Sequence, residues 1–196
     1  MHNLSVLILN GSLKTGNQHL LYQSAIEKEL SSKGISYESI ILNSTDLRSC
    51  IGCFKCWDTT PGICSGVKGD SGNYIARKVI HSDLIVFLTP LTFGGFSSEL
   101  KKMIERFLPL LQAGVVLVKG ETHHKKRYEK YPSILAIATY ENIDEEEVNI
   151  FKHLMHRFSL NFYPPKYIAE VLSLSENQVV IEEKIHQFLI ELEVIQ

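Results

Sequence analysis

Residues 4–12 read Leu-Ser-Val-Leu-Ile-Leu-Asn-Gly-Ser, an almost unbroken apolar run that ends in turn-forming residues. Such a run is typical of a parallel strand buried on both faces, because a half-exposed strand would alternate apolar and polar residues. Apolar residues then recur at helical spacing over residues 17–33, and Gly34 supplies a stop signal. The chain is therefore predicted to begin with a strand followed by a helix.

The same alternation continues along the chain. Further strands are predicted at residues 37–42, 83–89, 134–139 and 167–172, and helices at 73–81, 100–108, 148–158 and 181–192. Capping boxes are predicted before the last two helices, from Asp144 with Glu147 and from Ser175 with Gln178. Since parallel strands need right-handed crossovers, the pattern predicts an α/β doubly wound sheet of five parallel strands, order 2-1-3-4-5, with helices on both faces.

Length and composition favour one globular domain over residues 1–196, with 44% hydrophobic and 21% charged residues. The net charge of −2 offers no basic face for nucleic acid. We find neither a bilayer-length apolar run nor a secretory signal pattern, so we expect a cytoplasmic protein with no membrane partner. Two insertions interrupt the pattern, a cysteine-bearing one at 43–72 and a basic one at 112–132.

The first loop, residues 10–18, follows the first strand and is rich in glycine, hydroxyl and amide side chains. Ligands of a doubly wound sheet bind beyond the carboxyl ends of its strands, where strand order reverses. Backbone N–H groups at the start of the following helix favour a bound phosphate there. A helix cap formed by Thr15 and Gln18 explains the same residues, so both interpretations stay open at this point. Neither a Gly-x-x-x-x-Gly-Lys-Ser/Thr nor a Gly-x-Gly-x-x-Gly motif is present, which disfavours nucleoside triphosphatases and dinucleotide-binding domains.

The second loop, residues 89–98, follows the third strand and reads Thr-Pro-Leu-Thr-Phe-Gly-Gly-Phe-Ser-Ser. Aromatic faces can border a flat ring, and glycines let backbone N–H groups approach its polar edge. A turn with two packed phenylalanines is the alternative. Because the first and second loops end neighbouring strands of the predicted sheet, we expect them to lie side by side.

Together these loops resemble the NADPH-dependent FMN reductase branch of the flavodoxin-like proteins. The resemblance rests on Asn-Gly-Ser and Gly-Asn after the first strand, Thr-Pro-x-x-Phe-Gly after the third, then Leu100-Lys101 and Glu105-Arg106, and it covers roughly residues 4–172. It implies bound FMN, with the phosphate at Ser12, Asn17 and Gln18, and the ribityl chain and isoalloxazine at Pro90, Leu91, Thr92, Phe93 and Gly94. Lys14, His19, Thr139 and Tyr140 complete the predicted cofactor-binding set. Gln18 and Thr92 depart from the family pattern, which often has Thr and Tyr at those positions.

The resemblance implies an FMN-dependent NAD(P)H oxidoreductase of the flavin or quinone reductase type. Bound FMN would accept hydride from NADPH or NADH and pass electrons to a small-molecule or protein acceptor, so no catalytic side chain is predicted. The family also implies a homodimer or homotetramer. The basic run His123–Arg127 either attracts the phosphate of the nicotinamide dinucleotide or is a solvated loop.

Four cysteines are spaced Cys-x2-Cys-x2-Cys-x7-Cys at Cys50, Cys53, Cys56 and Cys64. With Asp70, they resemble the cysteine segment of iron–sulfur flavoproteins. A [4Fe–4S] cluster, a zinc ion and free thiols all stay open. A cluster would make the chain a carrier of single electrons, whereas a fold without flavin would be a metal-binding or redox-sensing module. Trp57 lies in the same stretch and is predicted to pack in the core, with a cover over the flavin or a subunit contact as the alternatives.

Overall fold

The computed structural model describes residues 4–12, 17–142 and 144–195. Its strands are β1 (Ser5–Asn10), β2 (Ser36–Ile41), β3 (Leu84–Pro90), β4 (Leu111–Val118), β5 (Glu121–Lys126), β6 (Ser133–Tyr140) and β7 (Tyr167–Ser173). Five of them form one parallel sheet in the order β2-β1-β3-β6-β7. Counted within that sheet the order is 2-1-3-4-5, which confirms the predicted doubly wound, flavodoxin-like fold.

The helices cover both faces of this sheet. They are α1 (Asn17–Ser32), α2 (Gly72–His81), α3 (Ser98–Glu105), α4 (Glu145–Phe162) and α5 (Gln178–Glu191). Successive strand residues point to opposite faces, so Val6 and Ile8 pack with α1 and α5, whereas Leu7 and Leu9 pack with α2, α3 and α4. Within the described ranges, no helix combines the length and apolarity that crossing a membrane requires.

Helix ends agree with the sequence at one position and differ at two others. Asp144 caps α4 as predicted, because its carboxylate accepts the backbone N–H of Glu146 at 2.8 Å. The prediction of Ser175 as a cap is wrong: Asn177 caps α5 by accepting the N–H of Val180 at 3.1 Å. Helix α3 ends at Glu105, three residues earlier than predicted, and a short 3-10 turn with Pro109 follows at Leu108–Leu110.

The basic insertion is a β-hairpin, so its description as a solvated loop is wrong. Strands β4 and β5 pair antiparallel through a turn at Lys119 and Gly120, whose φ angles are 47° and 84°. Positive φ at both central residues matches the twist of a two-residue hairpin turn. Two nitrogens of the Arg127 guanidinium are bound to the protein backbone. Nε donates to the carbonyl of Pro109 at 2.8 Å, and Nη2 donates to the carbonyl of Leu111 at 2.9 Å.

Candidate functional site

Three loops meet at the carboxyl ends of β1, β3 and β6. The N–H of Gly11 donates to the carbonyl of Leu88 at 2.8 Å, which joins the first loop to β3. The N–H of Leu91 donates to the carbonyl of Thr139 at 2.8 Å, which joins the second loop to the end of β6. The structure thus brings together the beginnings of the loops that the sequence assigned to one cofactor.

Ser97 connects two of these loops, and the sequence analysis missed it. Its hydroxyl donates to the carbonyl of Gly11 at 2.5 Å and accepts the N–H of Leu100 at 3.2 Å, so one buried side chain both caps α3 and holds the first loop. A serine just before a predicted amphipathic helix is an N-cap signal and could have identified the cap. Its long-range bond to Gly11 has no sequence signal.

Gly11 is required by the close approach of the first loop to α3. A Cβ atom on Gly11 would lie 2.6 Å from Cβ of Leu100 and 2.7 Å from Oγ of Ser97. These separations are far below ordinary van der Waals contact, so a larger residue would push the loop away from the helix. The sequence Asn-Gly-Ser therefore sets the spacing between the first loop and α3.

Ser12 has a buried hydroxyl group whose hydrogen-bonding capacity is unused among the described residues. The residue is 5% exposed, and its Oγ has no hydrogen-bond partner among the described residues. Its N–H is occupied by the side chain of Asn10 at 2.9 Å, and Asn10 in turn donates to Gln23 of α1 at 2.7 Å. A buried hydroxyl without a partner is costly, and a phosphate oxygen would pair with it.

The remaining residues predicted at the phosphate are only partly described. Lys14 lies outside the described residues, and so do the side chains of Asn17, Gln18 and His19. The backbone of α1 is described from Asn17 onward, so the first loop does lead into the start of a helix. Backbone N–H groups at such a position, with the helix dipole, suit an anion.

The second loop presents Phe93 at the tip of a tight turn. Thr92 and Gly95 exchange backbone hydrogen bonds at 3.1 and 2.9 Å, and the two residues between them have φ of 48° and 70°. A positive φ is unusual for a bulky residue such as Phe93. The Phe93 residue is also 92% exposed to solvent. Gly94 packs against α4 so closely that a Cβ would lie 2.6 Å from Cγ2 of Ile150. The turn therefore holds an aromatic ring outward in a strained conformation, as binding loops often do.

Pro90, Leu91, Thr139 and Tyr140 border this turn. Pro90 pairs with Thr139 in the sheet, and Thr139 is 4% exposed. Leu91 and Tyr140 are each half-buried, and Thr92 is exposed. These predicted residues therefore lie together at one edge of the sheet.

The cysteine segment, residues 45–71, leads from a short turn after β2 to α2. Burial raises the pKa of the Cys56 thiol, and the thiols of Cys64 and Cys50 raise it further. In the described part of the chain, however, no three His, Cys, Asp or Glu side chains converge as metal ligands. The four cysteines are free thiols in this conformation, and they do not form a preorganised cluster or zinc site.

Trp57 is half-buried in the cysteine segment and belongs to neither core cluster, so its assignment to the core is wrong. Its indole N–H donates to the carbonyl of Leu108 at 2.9 Å. Its ring stacks on Phe54 at 5.3 Å and lies 4.7 Å from the ring of His124 in β5. The only tryptophan of the chain therefore joins the cysteine segment to the hairpin.

A buried ion pair closes the cysteine segment onto α3. Both oxygens of Asp70 bind the guanidinium of Arg106, at 2.6 and 3.0 Å, and each side chain is 1% exposed. Arg106 also donates to the carbonyl of Arg48, so both ends of the segment are held. Burial alone would raise the pKa of Asp70, but the hydrogen bonds from Arg106 and the Arg48 N–H outweigh it and hold that pKa below its ordinary value.

Comparison with known proteins identifies the family. The family model of NADPH-dependent FMN reductases matches residues 4–131. An iron–sulfur flavoprotein of Methanocaldococcus jannaschii is 33% identical over 108 residues, which are 55% of this chain and 53% of that protein. One from Archaeoglobus fulgidus is 30% identical over 105 residues, 54% of this chain and 46% of that protein. The chain thus matches about half the length of these relatives.

Solved structures agree on the fold. An NAD(P)H:quinone oxidoreductase from Methanothermobacter marburgensis superposes with a TM-score of 0.72 at 13% identity, covering 97% of this chain and 98% of the other. An FMN-dependent NADH-azoreductase from Bacillus anthracis, solved with FMN, gives a TM-score of 0.57 at 10% identity, covering 96% of each chain. Because the family model spans more than half of the sequence, the chain belongs to the NADPH-dependent FMN reductase family.

Replacing Asp70 tests whether the buried pair holds the segment. We expect Asp70→Asn to lower the free energy of unfolding by about 3–5 kcal/mol at neutral pH, because it leaves Arg106 buried without its counter-charge. The pKa of Asp70 is depressed in the folded state, so its contribution is present above about pH 4 and is lost as pH falls through the folded pKa. The difference between wild type and variant should therefore shrink in acid, as measured by urea unfolding at several pH values.

Glu38→Gln is the matched control, since it breaks the exposed pair of Glu38 with Lys78 and should cost less than about 1 kcal/mol. If the Asp70→Asn variant is as stable as this control at neutral pH, the Asp70–Arg106 pair does not hold the cysteine segment in place.

Proposed function

We propose that this chain is an FMN-dependent NAD(P)H oxidoreductase that binds one FMN across the first and second loops. The observation that carries the proposal is the junction held by Ser97. There the first loop is bonded to the start of α3, and beside it the buried Ser12 hydroxyl lacks a partner among the described residues. A phosphate at Ser12 and a flat ring beside Phe93 would occupy the two loops at once.

Each part of the chain has a separate task in this proposal. The Ser12 hydroxyl and the N–H groups at the start of α1 bind the phosphate. Backbone atoms of residues 90–94 orient the polar edge of the ring, and the Phe93 ring covers part of it. Lys14, Asn17, Gln18, His19, Thr139 and Tyr140 are proposed as further contacts. When bound, FMN supplies the hydride-accepting chemistry, and the chain supplies position and polarity.

The electron donor is proposed to be NADPH or NADH, in keeping with the family. The electron acceptor is a flavin, a quinone or another small molecule, or a protein. Of the basic run, Lys125 and Lys126 remain exposed and could attract the dinucleotide phosphate, whereas the Arg127 guanidinium is held by backbone carbonyls. We also keep a cytoplasmic location, a homodimer or homotetramer, and a single domain over residues 1–196 as predictions.

A second candidate is an iron–sulfur flavoprotein that carries single electrons through a [4Fe–4S] cluster. Two observations favour it, namely the spacing of the four cysteines within residues 50–64 and the names of the relatives. The thiols would have to move to ligate a cluster, because the described residues hold no ready set of three ligands. Cys53, which is exposed, would be the fourth ligand.

Absorption spectroscopy tests the proposed function directly. Protein purified without oxygen and incubated with FMN should retain a visible flavin spectrum after gel filtration, and NADPH or NADH should bleach it. Iron and acid-labile sulfide in the same sample would favour the second candidate. A colourless protein that cannot be loaded with FMN would contradict both.

Ser12→Ala tests the phosphate contact. A charge-assisted hydrogen bond contributes about 1.5–3 kcal/mol, so the Kd for FMN should rise roughly tenfold to a hundredfold, as measured by flavin fluorescence quenching. The unliganded protein should lose no stability, because the hydroxyl has no partner to lose among the described residues.

The matched control is Ser44→Ala, which removes an exposed hydroxyl bonded to the carbonyl of Ile41. It should leave the Kd for FMN unchanged. If both variants bind FMN as wild type does, the phosphate is not at Ser12.

Phe93→Gly tests the ring contact. Glycine accepts the positive φ at this position, and the removed ring is exposed, so unfolding free energy should change by less than about 1 kcal/mol. Loss of an aromatic contact should raise the Kd for FMN by about twofold to tenfold.

Lys119→Gly is the control, because Lys119 has nearly the same φ, 47°, in the hairpin turn. If the two variants bind FMN with the same Kd, the Phe93 ring does not contact FMN.

A further inference from the structure

Strand β4 presents an exposed, uncharged edge that the proposed FMN loops do not use. Its residues read Leu-Gln-Ala-Gly-Val-Val-Leu-Val, without a single charge. Among the described strands it pairs only with β5, and the two form a sheet of their own. Proteins usually place charges on such an edge or cover it, because an open edge pairs with other chains. The edge of β4 therefore needs an explanation.

The backbone of β4 alternates between groups bonded to β5 and groups that face outward. Val115 lies opposite His124 in the hairpin register. The N–H of His124 donates to the side chain of Asn161 at 3.1 Å, and its carbonyl accepts the Tyr163 hydroxyl at 2.5 Å. Because His124 bonds away from β4, the two opposite residues form a non-hydrogen-bonded pair, and the backbone groups of Val115 point away from β5. The alternation gives Leu117 the same outward direction.

The side chains at these two positions are also exposed. Val115 is 54% and Leu117 is 75% exposed, and they share one face of the strand because they are two residues apart. Outward backbone donors and acceptors beside apolar side chains are complementary to another extended strand. The register shifts between Leu111 and Val115, so the regular part of this edge is residues 115–118.

The opposite edge of the hairpin is covered at the same level. Asn161 belongs to α4 and Tyr163 follows its last turn, so this helix lies against β5 at His124. The hairpin therefore offers one edge at this level. A partner that offers the same edge in return ends the assembly at two chains, because the contact is then closed by a two-fold axis.

An identical strand fits this edge. Antiparallel pairing about a two-fold axis at Val116 places Val115 opposite Leu117 of the second copy, and both residues then point their backbone groups at each other. Each such pair exchanges both of its backbone hydrogen bonds. Like charges do not meet across the contact, since residues 111–118 are uncharged, and the exposed apolar side chains become cross-strand neighbours.

We propose that the β4 edge is a self-association surface, at which two copies of this chain join their hairpins into one continuous antiparallel sheet. The pairing involves none of the residues proposed to bind FMN, and it takes place with or without the cofactor. Because the regular edge is short, we expect a reversible dimer with a Kd of roughly 10–100 µM.

Sedimentation velocity and amide hydrogen exchange test this pairing in the full chain. Sedimentation should show a monomer and a dimer whose proportions follow concentration, with the same Kd in the presence of FMN. The N–H groups of Val115 and Leu117, followed by NMR, should exchange slowly in the dimer and fast after dilution. Those of Val116 and Val118 bond within the hairpin and should be protected at both concentrations.

A double lysine variant tests the contact by charge. Val115→Lys with Leu117→Lys places ammonium groups directly opposite each other across the two-fold axis, so the Kd of the dimer should rise at least about tenfold. The matched control is Val179→Lys with Ile190→Lys, two similar changes at exposed positions of α5. It should dimerise like wild type, and both variants should unfold at nearly the wild-type urea concentration.

Two changes at Leu117 separate backbone pairing from side-chain contact. Leu117→Ala removes the side chain and keeps the outward N–H, whereas Leu117→Pro removes both. Proline is accepted on an edge strand where the N–H faces outward, so the hairpin should persist. The dimer of the proline variant should be roughly tenfold weaker than that of the alanine variant.

Four results would overturn the proposal. The first is a chain that stays monomeric at every concentration, and the second is a dimer in which the Val115 and Leu117 amides exchange as fast as in the monomer. The third is a double lysine variant that dimerises like its α5 control. The fourth is equal dimerisation of the Leu117→Pro and Leu117→Ala variants, which would mean that the strands do not pair through their backbones.

Discussion

Helix α3 is anchored at both ends by buried polar contacts, and the relative position of the two functional regions depends on this. At its start, Ser97 bonds to Gly11 of the first loop. At its end, Arg106 binds Asp70 and the carbonyl of Arg48 in the cysteine segment. Both anchors are shielded from water, where hydrogen bonds are stronger and broken partners cost more. Helix α3 has only eight residues and is therefore about 12 Å long. The distance between the first loop and the cysteine segment is fixed by this short helix.

The first loop and the cysteine segment come from distant parts of the sequence. Their bonds to Ser97 and Arg106 nevertheless make them close neighbours along one short helix.

The sequence predicts the sheet well because each central strand is buried on both faces, which leaves continuous apolar runs such as residues 84–88. It predicts which loops meet because strand order determines which strand ends are adjacent. It does not reveal the bond of Ser97 to Gly11 or the pairing of Asp70 with Arg106, since side chains far apart in the sequence carry no periodic signal. The hairpin is not predicted for a different reason. An apolar run, Val-Val-Leu-Val, followed by Lys119-Gly120 is a strand-and-turn signal. The charges of the basic run His123–Arg127, however, favour a solvated loop in a reading by composition.

The two faces of the sheet are built differently. Both long connections, the cysteine segment and the hairpin, pack with the layer of α2, α3 and α4, whereas α1 and α5 form a plain layer on the other face. Val179 and Ile190 on α5 are exposed, and their helix belongs to the layer that neither connection contacts through the core. Immobilising the protein through the exposed side of α5, on a resin or an electrode, would leave the cysteine segment and the hairpin facing solution.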